Sequence, residues 1–402
     1  MAKFFWPFLA NVALFAAVAC FYPFLVIFYR QQGLSGPQIG LLSGLTPLLT
    51  LLGAPLWTNL ADVTRRHRLV LSGVILVTAA TLALLPALHA FLPVFLVVVV
   101  LSACFAPVAA LLDSATLAML GNRRELYGRV RVGGTLGYVA AGVLIGALVQ
   151  RAGLQFAFWT GTALLLVLLV AAQRLSFVEA PPGAAPPGAA RPAALSGRGG
   201  VRTLLADRRW WPFLVLAFAA GLSLTVTTTY ILAYMQELGA DAGSMGLALT
   251  MGAVMEIPMM LIGHRLLARY SSYSLFMLAI ALTGARLLLF VVTRSPQAVI
   301  WLQLANGITY PLAWLSGVTY AHEHAPPGLS ATAQGLFGAV FSGFGAAVGN
   351  FIGGPLFGRF GGHVTYLIFG ATILSIALLV WLVQRLAPPR APAVVSAPAH
   401  EP

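Results

Sequence analysis

Charge is what this chain has least of. Only 8% of its 402 residues are Asp, Glu, Lys or Arg, 59% are hydrophobic, and the mean hydropathy is +0.90. Soluble domains carry about 25% charged residues, so the composition excludes an ordinary aqueous globule and points to a lipid bilayer. Cysteine is almost as scarce: Cys20 and Cys104 both fall in apolar runs, which speaks against a disulfide framework or a cysteine metal cluster. Walker A loops, catalytic triads and HExxH are missing too, and the HEH of His322, Glu323 and His324 has the wrong spacing for a zinc site. ATP-driven transport and familiar enzyme chemistry therefore have no residues to carry them. Neither a cofactor nor a metal is expected.

What is present in quantity is long apolar sequence. Runs of about 20 residues match the length a helix needs to cross about 30 Å of hydrocarbon. Twelve are predicted, at 6–29, 37–60, 69–88, 91–118, 128–150, 155–174, 211–235, 243–267, 272–293, 297–321, 330–357 and 363–386. The first, following Lys3, loosely resembles a lipoprotein signal ending at Cys20, but its apolar stretch continues to Tyr29, too long for a signal core. It is expected to stay as a helix.

The net charge of +13 raises nucleic acid as a partner, and its distribution argues against one. Of the 23 Lys and Arg residues, 18 sit at the termini and even-numbered connections and only four, Arg30, Arg151, Arg294 and Arg359, at odd-numbered ones. The positive-inside rule then puts both termini and the central loop in the cytoplasm. A plasma membrane location, the bacterial inner membrane, follows as the expectation, with a monomer as the expected state.

Residues 176–209 break the apolar pattern with proline, glycine, alanine and arginine, and are read as a flexible linker. It divides a six-helix bundle at 1–175 from a second at 210–387, with a disordered tail at 388–402. The halves echo each other: FYRQQGLSGPQIGLL (28–42) resembles AYMQELGADAGSMGLAL (233–249), and LVQRAG (148–153) resembles LFGRFG (356–361). Internal duplication of this kind locates a substrate site between the halves, near the midplane.

With these residues in view, the chain resembles the major facilitator superfamily. LWTNLADVTRRHRLVL (56–71) is similar to the family's signature between helices 2 and 3, with Leu60, Ala61, Asp62 and Arg66 matching and Thr58 and Arg65 standing where the family has glycine. LLDSA (111–115), YGRVRVGGTLGY (127–138), AVMEIPMM (253–260), TGARLLLF (283–290) and ATAQGLFGAVFSGFGAAVGNFIGG (331–354) resemble the branch of 3-phenylpropionate permeases, near the nucleoside and lactose proton symporters. Asn306 departs from it, where relatives often carry histidine. The resemblance implies an all-α polytopic fold of twelve helices in two bundles. It also implies a conformational latch at Asp62, Arg65 and Arg66, with Asp62 facing the helix that starts near Ser330; without the resemblance these three residues read equally well as a solvated turn.

Ionisable groups at membrane depth are costly unless paired, neutralised or hydrated. Glu256 and Arg286 fall about 20 Å along their respective helices at 1.5 Å per residue, and are expected to meet, as a coupling or substrate site or as a static pair fastening neighbouring helices. Asp113 and Arg131 are expected to pair in the first half, for structure and gating or for coupling. Asn11, Tyr22, Thr227, Thr228, Tyr230, Asn306, Tyr310 and Trp314 offer polar and aromatic edges as cavity candidates, each with packing as the competing role. The function expected is gradient-driven transport of a small organic solute, an aromatic acid, nucleoside or sugar, together with protons. An exporter or uniporter is the alternative within the class, a membrane-embedded enzyme or receptor the alternative outside it.

Overall fold

A backbone in hydrocarbon has no water to bond, so every N–H and C=O must be satisfied within its own segment, and the apolar runs become helices. The computed structural model describes residues 2–121, 123, 126–177 and 198–386. Its spanning helices are α1 (Phe4–Gln31), α2 (Gly36–Thr64), α3 (His67–Ala87), α4 (Phe91–Leu120), α5 (Tyr127–Ala152), α6 (Gln155–Gln173), α7 (Trp210–Thr228, continued by Ile231–Glu237), α8 (Ala242–Arg269), α9 (Ser272–Val292) and α10 (Pro296–Glu323). The last helical run, Ser330–Leu386, spans 57 residues and is broken at Gly361, whose φ of 75° is left-handed. It thus holds two spans, α11 (330–360) and α12 (362–386), which brings the total to the expected twelve. Of these, α10 is long enough at 28 residues but more polar, with Gln303, Asn306 and Thr309 along it.

The duplication suggested by the sequence is written into the backbone. α1 loosens at Tyr22–Phe24 and resumes as Leu25–Gln31; α7 breaks after Thr228 and resumes as Ile231–Glu237, an offset of 206 residues. The same offset carries left-handed Gly33 (φ 72°) to Gly239 (φ 80°), and the extended N-cap Ser35 to the N-cap Asp241. Ser35 closes its helix through a bond from its own N–H to Gln38 Oε1 (2.9 Å), while the Asp241 carboxylate accepts from Ser244 N–H (2.8 Å).

Within the first half α1 packs on α5 and α6, and α3 on α6; within the second, α10 lies against both α8 and α9. Two antiparallel seams join the halves, α2 with α11 and α5 with α8. Both depend on backbone touching backbone: a methyl on Gly36 would come 2.6 Å from Gly354 O, and one on Gly146 2.5 Å from Ala242 O. Small residues permit this approach between helices in lipid, where dispersion replaces the hydrophobic effect as the main attraction.

These seams tighten toward one face of the molecule, the one opposite the α2–α3 turn and the central connection. On that far face Arg30 reaches Glu237 (3.6 Å), donates to Ala233 O (3.3 Å) and lies over the Phe357 ring, while Glu237 accepts from Gly362 N–H (2.7 Å). The clasp joins the two ends that the repeat relates, the end of α1 and the end of α7.

The linker expectation needs one correction. Residues 178–197 lie outside the described residues, as does the tail at 388–402, but Arg198–Ala206 is a helix rather than flexible chain. Leu204 on it is fully buried and Gly200 lies against Leu329 and Thr332 at the start of α11, so apolar contact orders this part of the segment.

Candidate functional site

The register of α5 against α8 positions the first group of charges. Gly146 stands opposite Ala242 and Gly246, Gly142 opposite Gly246 and Thr250, and Thr250 Oγ1 lies 3.4 Å from Val139 O. Followed about two more turns toward the linker face, this antiparallel register brings Glu256 to the level of Arg131. Arg131 Nη1 donates to Asp113 Oδ1 at 3.3 Å, so the expected contact across the α4–α5 hairpin is present. The guanidinium also sits 4.6 Å from the centre of the Phe15 ring on α1, a cation–π arrangement that holds it from a third helix. Glu256 lies within electrostatic reach of Arg131, Tyr138 and Tyr310. One guanidinium and two carboxylates from opposite halves therefore share one level of the seam. Their side chains are not sealed off, with 41% of Arg131 and 31% of Asp113 exposed.

The expected Glu256–Arg286 pair is not formed. Among the described residues no carboxylate lies within ion-pair distance of Arg286, which is only 3% exposed and whose Nε and Nη1 have no hydrogen-bond partner. The reason lies in the packing: α8 and α9 are consecutive in sequence but hardly touch, because α10 is wedged between them. Gly307 on α10 fits against Gly252 O and the Glu256 backbone, filling the space such a pair would need. Arg286 instead walls a separate small cavity in the second half, together with Thr227, Thr283, Asn306, Thr309 and Tyr310.

The remaining candidates divide. Asn306, Tyr310 and Thr227 line the Arg286 cavity, and Tyr310 also reaches toward Glu256, so α10 separates the two charged groups while touching both. Tyr22 is half-buried at the break in α1, near Tyr138. Asn11 is buried and bonds Pro7 O (3.0 Å). Thr228 bonds Leu224 O (2.6 Å), and Trp314 packs on Phe337 and Phe341. Tyr230 does not face a cavity: it is fully buried, stacks on Phe357 and bonds Asn350 O (3.2 Å), because the break in α7 turns it into the bundle.

The latch contact is likewise not made in this conformation. Asp62, with 61% of its side chain exposed, bonds His67 Nε2 at 2.8 Å, while Ser330 bonds His322 Nδ1 at 2.6 Å. Arg65 takes the left-handed C-cap position of α2 and Arg66 precedes α3, both exposed. Among the described residues no hydrogen bond or ion pair joins Asp62, Arg65 or Arg66 to the second half. Sequence reasoning missed the Arg30–Glu237 clasp on the other face. Its signal was available, because the repeat aligns the segments around both residues and a pseudo-twofold brings equivalent loops together.

Helices in two related bundles, meeting along glycine seams around a level of shared charge, are the architecture of a membrane transporter. The chain belongs to the major facilitator superfamily: residues 11–368 match the MFS_1 like family. It is 31% identical over 376 residues to the maltose permease of Geobacillus stearothermophilus, covering 92% of each chain, and 22% identical over 341 residues to the putative nucleoside transporter YegT of Escherichia coli (strain K12), covering 83% of this chain and 79% of that one. Its fold matches the crystal structure of the nucleoside transporter NupG with a TM-score of 0.83 at 17% identity, over 96% of this chain and 100% of that one. The protein is an integral membrane protein and a secondary transporter of small solutes rather than an enzyme.

Proposed function

We propose that this transporter imports a neutral, polyhydroxylated solute together with a proton, with Glu256, Asp113 and Arg131 as the site that couples them. The observation that carries the reading is the common level of these three groups on helices of opposite halves. Fully ionised, the trio bears one net negative charge. One proton neutralises it, which sets a proton count of one per cycle and makes Glu256, on the helix facing the pair, the group to receive it.

Desolvation favours the neutral acid and a nearby guanidinium favours the carboxylate. Parting the α5–α8 seam changes the distance from Glu256 to Arg131, so protonation and conformation are linked. Carboxylates and a guanidinium bond sugar hydroxyls well, and the Tyr22, Tyr138 and Tyr310 rings offer apolar faces beside them. The maltose permease relative supports a saccharide over a nucleoside or an aromatic acid.

The arginine-rich linker face is the cytoplasmic one by the positive-inside rule, with both termini inside, the bacterial inner membrane as the location, the chain acting as a monomer and nucleic acid having no part. The two six-helix units, 1–175 and 210–387, rock about their seams. Asp62, Arg65 and Arg66 engage α11 in the opposite state. Uptake by proteoliposomes of maltose, other oligosaccharides, nucleosides and 3-phenylpropionate, with and without an inward pH gradient, tests the reading. Gradient-stimulated uptake of a saccharide is expected. Uptake indifferent to the pH gradient would instead make the protein a uniporter.

A further inference from the structure

Arg286 poses a problem that the coupling site does not solve. A guanidinium stays charged at any physiological pH, and a charge held inside a membrane protein without a partner is among the most expensive arrangements available. Here the side chain is 97% buried, no described carboxylate pairs with it, and two of its three nitrogens have no partner. Its environment is not uniformly apolar: the cavity beside it, ≈ 20 Å³ in volume, is lined in part by Ser223, Thr227, Thr283, Asn306, Thr309 and Tyr310. A water needs about 10–15 Å³, so the space has room for a water or one small ion.

The hydrogens around the cavity are unevenly committed. Thr227 gives its hydroxyl hydrogen to Ser223 O (2.9 Å), and Thr283 gives its own to Ala279 O (2.8 Å), each within its own helix. Thr309 Oγ1, 4% exposed, has no partner and keeps its hydrogen free. Among the fully buried polar atoms on the cavity wall, Arg286 Nε, Arg286 Nη1 and the Thr309 hydroxyl have no partner, while the partly exposed Asn306 and Tyr310 complete the polar lining. The three buried groups can all donate, and they come with a full positive charge. Water would use the donors but leave the charge; a monatomic anion answers both.

We propose that the cavity between α7, α9 and α10 is a halide site, occupied by chloride under ordinary conditions, which supplies Arg286 with the counter-charge that the protein does not. The site is separate from the Glu256 group, across α10. Bound chloride holds α9 against α10, and the protein is therefore more stable with chloride than without it.

The test is thermal unfolding of the purified protein in detergent, without solute, titrating chloride or bromide against gluconate at constant ionic strength. A saturable rise in Tm, by about 2 °C, is expected for the natural protein and none for Arg286→Gln. Thr309→Asp, which builds a carboxylate into the cavity wall, should unfold at the same temperature with and without chloride. Equal Tm in chloride and gluconate for the natural protein, a chloride response that survives in Arg286→Gln, or stabilisation by acetate but not by halides overturns the proposal. Where Arg286→Gln fails to fold, Thr309→Asp decides: loss of the chloride response supports the site and its retention overturns it. Because binding is read without transport, failure of the saccharide reading leaves this result untouched.

Discussion

Two arginines, Arg131 and Arg286, sit at depth in this molecule under opposite conditions. Arg131 is 41% exposed, has Asp113 at 3.3 Å and shares its level with Glu256; Arg286 is 3% exposed and has no acid beside it among the described residues. In the proposed cycle its exposure would let the first change partners as the seam parts. The second is fixed by packing, with the Phe290 ring 6.0 Å away but no counter-charge among the described residues. A membrane protein thus tolerates charge in two ways, and only the hydrated, shared kind suits a proton that must come and go.

The comparison breaks most visibly at Glu256. Glu256→Gln should retain binding and solute exchange across proteoliposomes but lose accumulation against a gradient altogether, since glutamine carries no proton through the cycle. Uphill transport at the natural level by this variant would remove Glu256 from the coupling site. Next in size, Arg131→Gln leaves two acids at one level without their cation. Active uptake should fall about tenfold or more, the effect of a misplaced group on an oriented site, and the double variant Asp113→Asn with Arg131→Gln should recover part of it.

Stability separates the two arginines more gently. Replacing an unpaired buried charge with an apolar side chain relieves desolvation, so Arg286→Leu should raise stability by about 1 kcal/mol in chloride-free buffer, whereas Arg131→Leu, freeing Asp113, should not. Denaturation of both variants in gluconate checks the sign. Smallest of all is the effect at a fully hydrated acid, Asp241 on the far face, whose carboxyl is held below the usual range by hydrogen bonds from Ser244. A depressed folded pKa gives stability that is complete above about pH 4 and is lost as the pH falls through the folded value. Asp241→Ala should cost about 0.5 kcal/mol at neutral pH, the low end of an N-cap's worth, and Asp241→Asn close to nothing, while removing that acid-range loss.

What was legible in the sequence followed from local rules. Twelve runs of the right length gave the helices, and the echo of residues 28–42 in 233–249 appears in the backbone as the paired breaks before Leu25 and Ile231. The Asp113–Arg131 contact could be anticipated because a single helical hairpin brings 113 and 131 together. Glu256 and Arg286 looked equivalent to that pair, on consecutive helices at similar depth, yet consecutive helices are not always neighbours in this fold. Only the three-dimensional order, with α10 between them, separates the two. Tyr230 was misplaced for a similar reason, since its direction is set by the break in α7 rather than by its position along a regular helix. The helix at Arg198–Ala206 lay hidden in a composition dominated by proline and glycine upstream, where average character says little about nine particular residues.

The glycine seams have a mechanical consequence. Contact concentrated at one end of long helices makes a fulcrum there, with the opposite ends as lever arms. α8, at 28 residues, is about 42 Å long at 1.5 Å per residue. A tilt of about 10° about the far-face glycines would sweep its other end through roughly 7 Å, by the same rise per residue. That is wide enough to admit a sugar ring, yet the motion at the pivot itself stays within ordinary side-chain play. Such rocking would open a large aperture by a small rotation because its bearings are bare backbone.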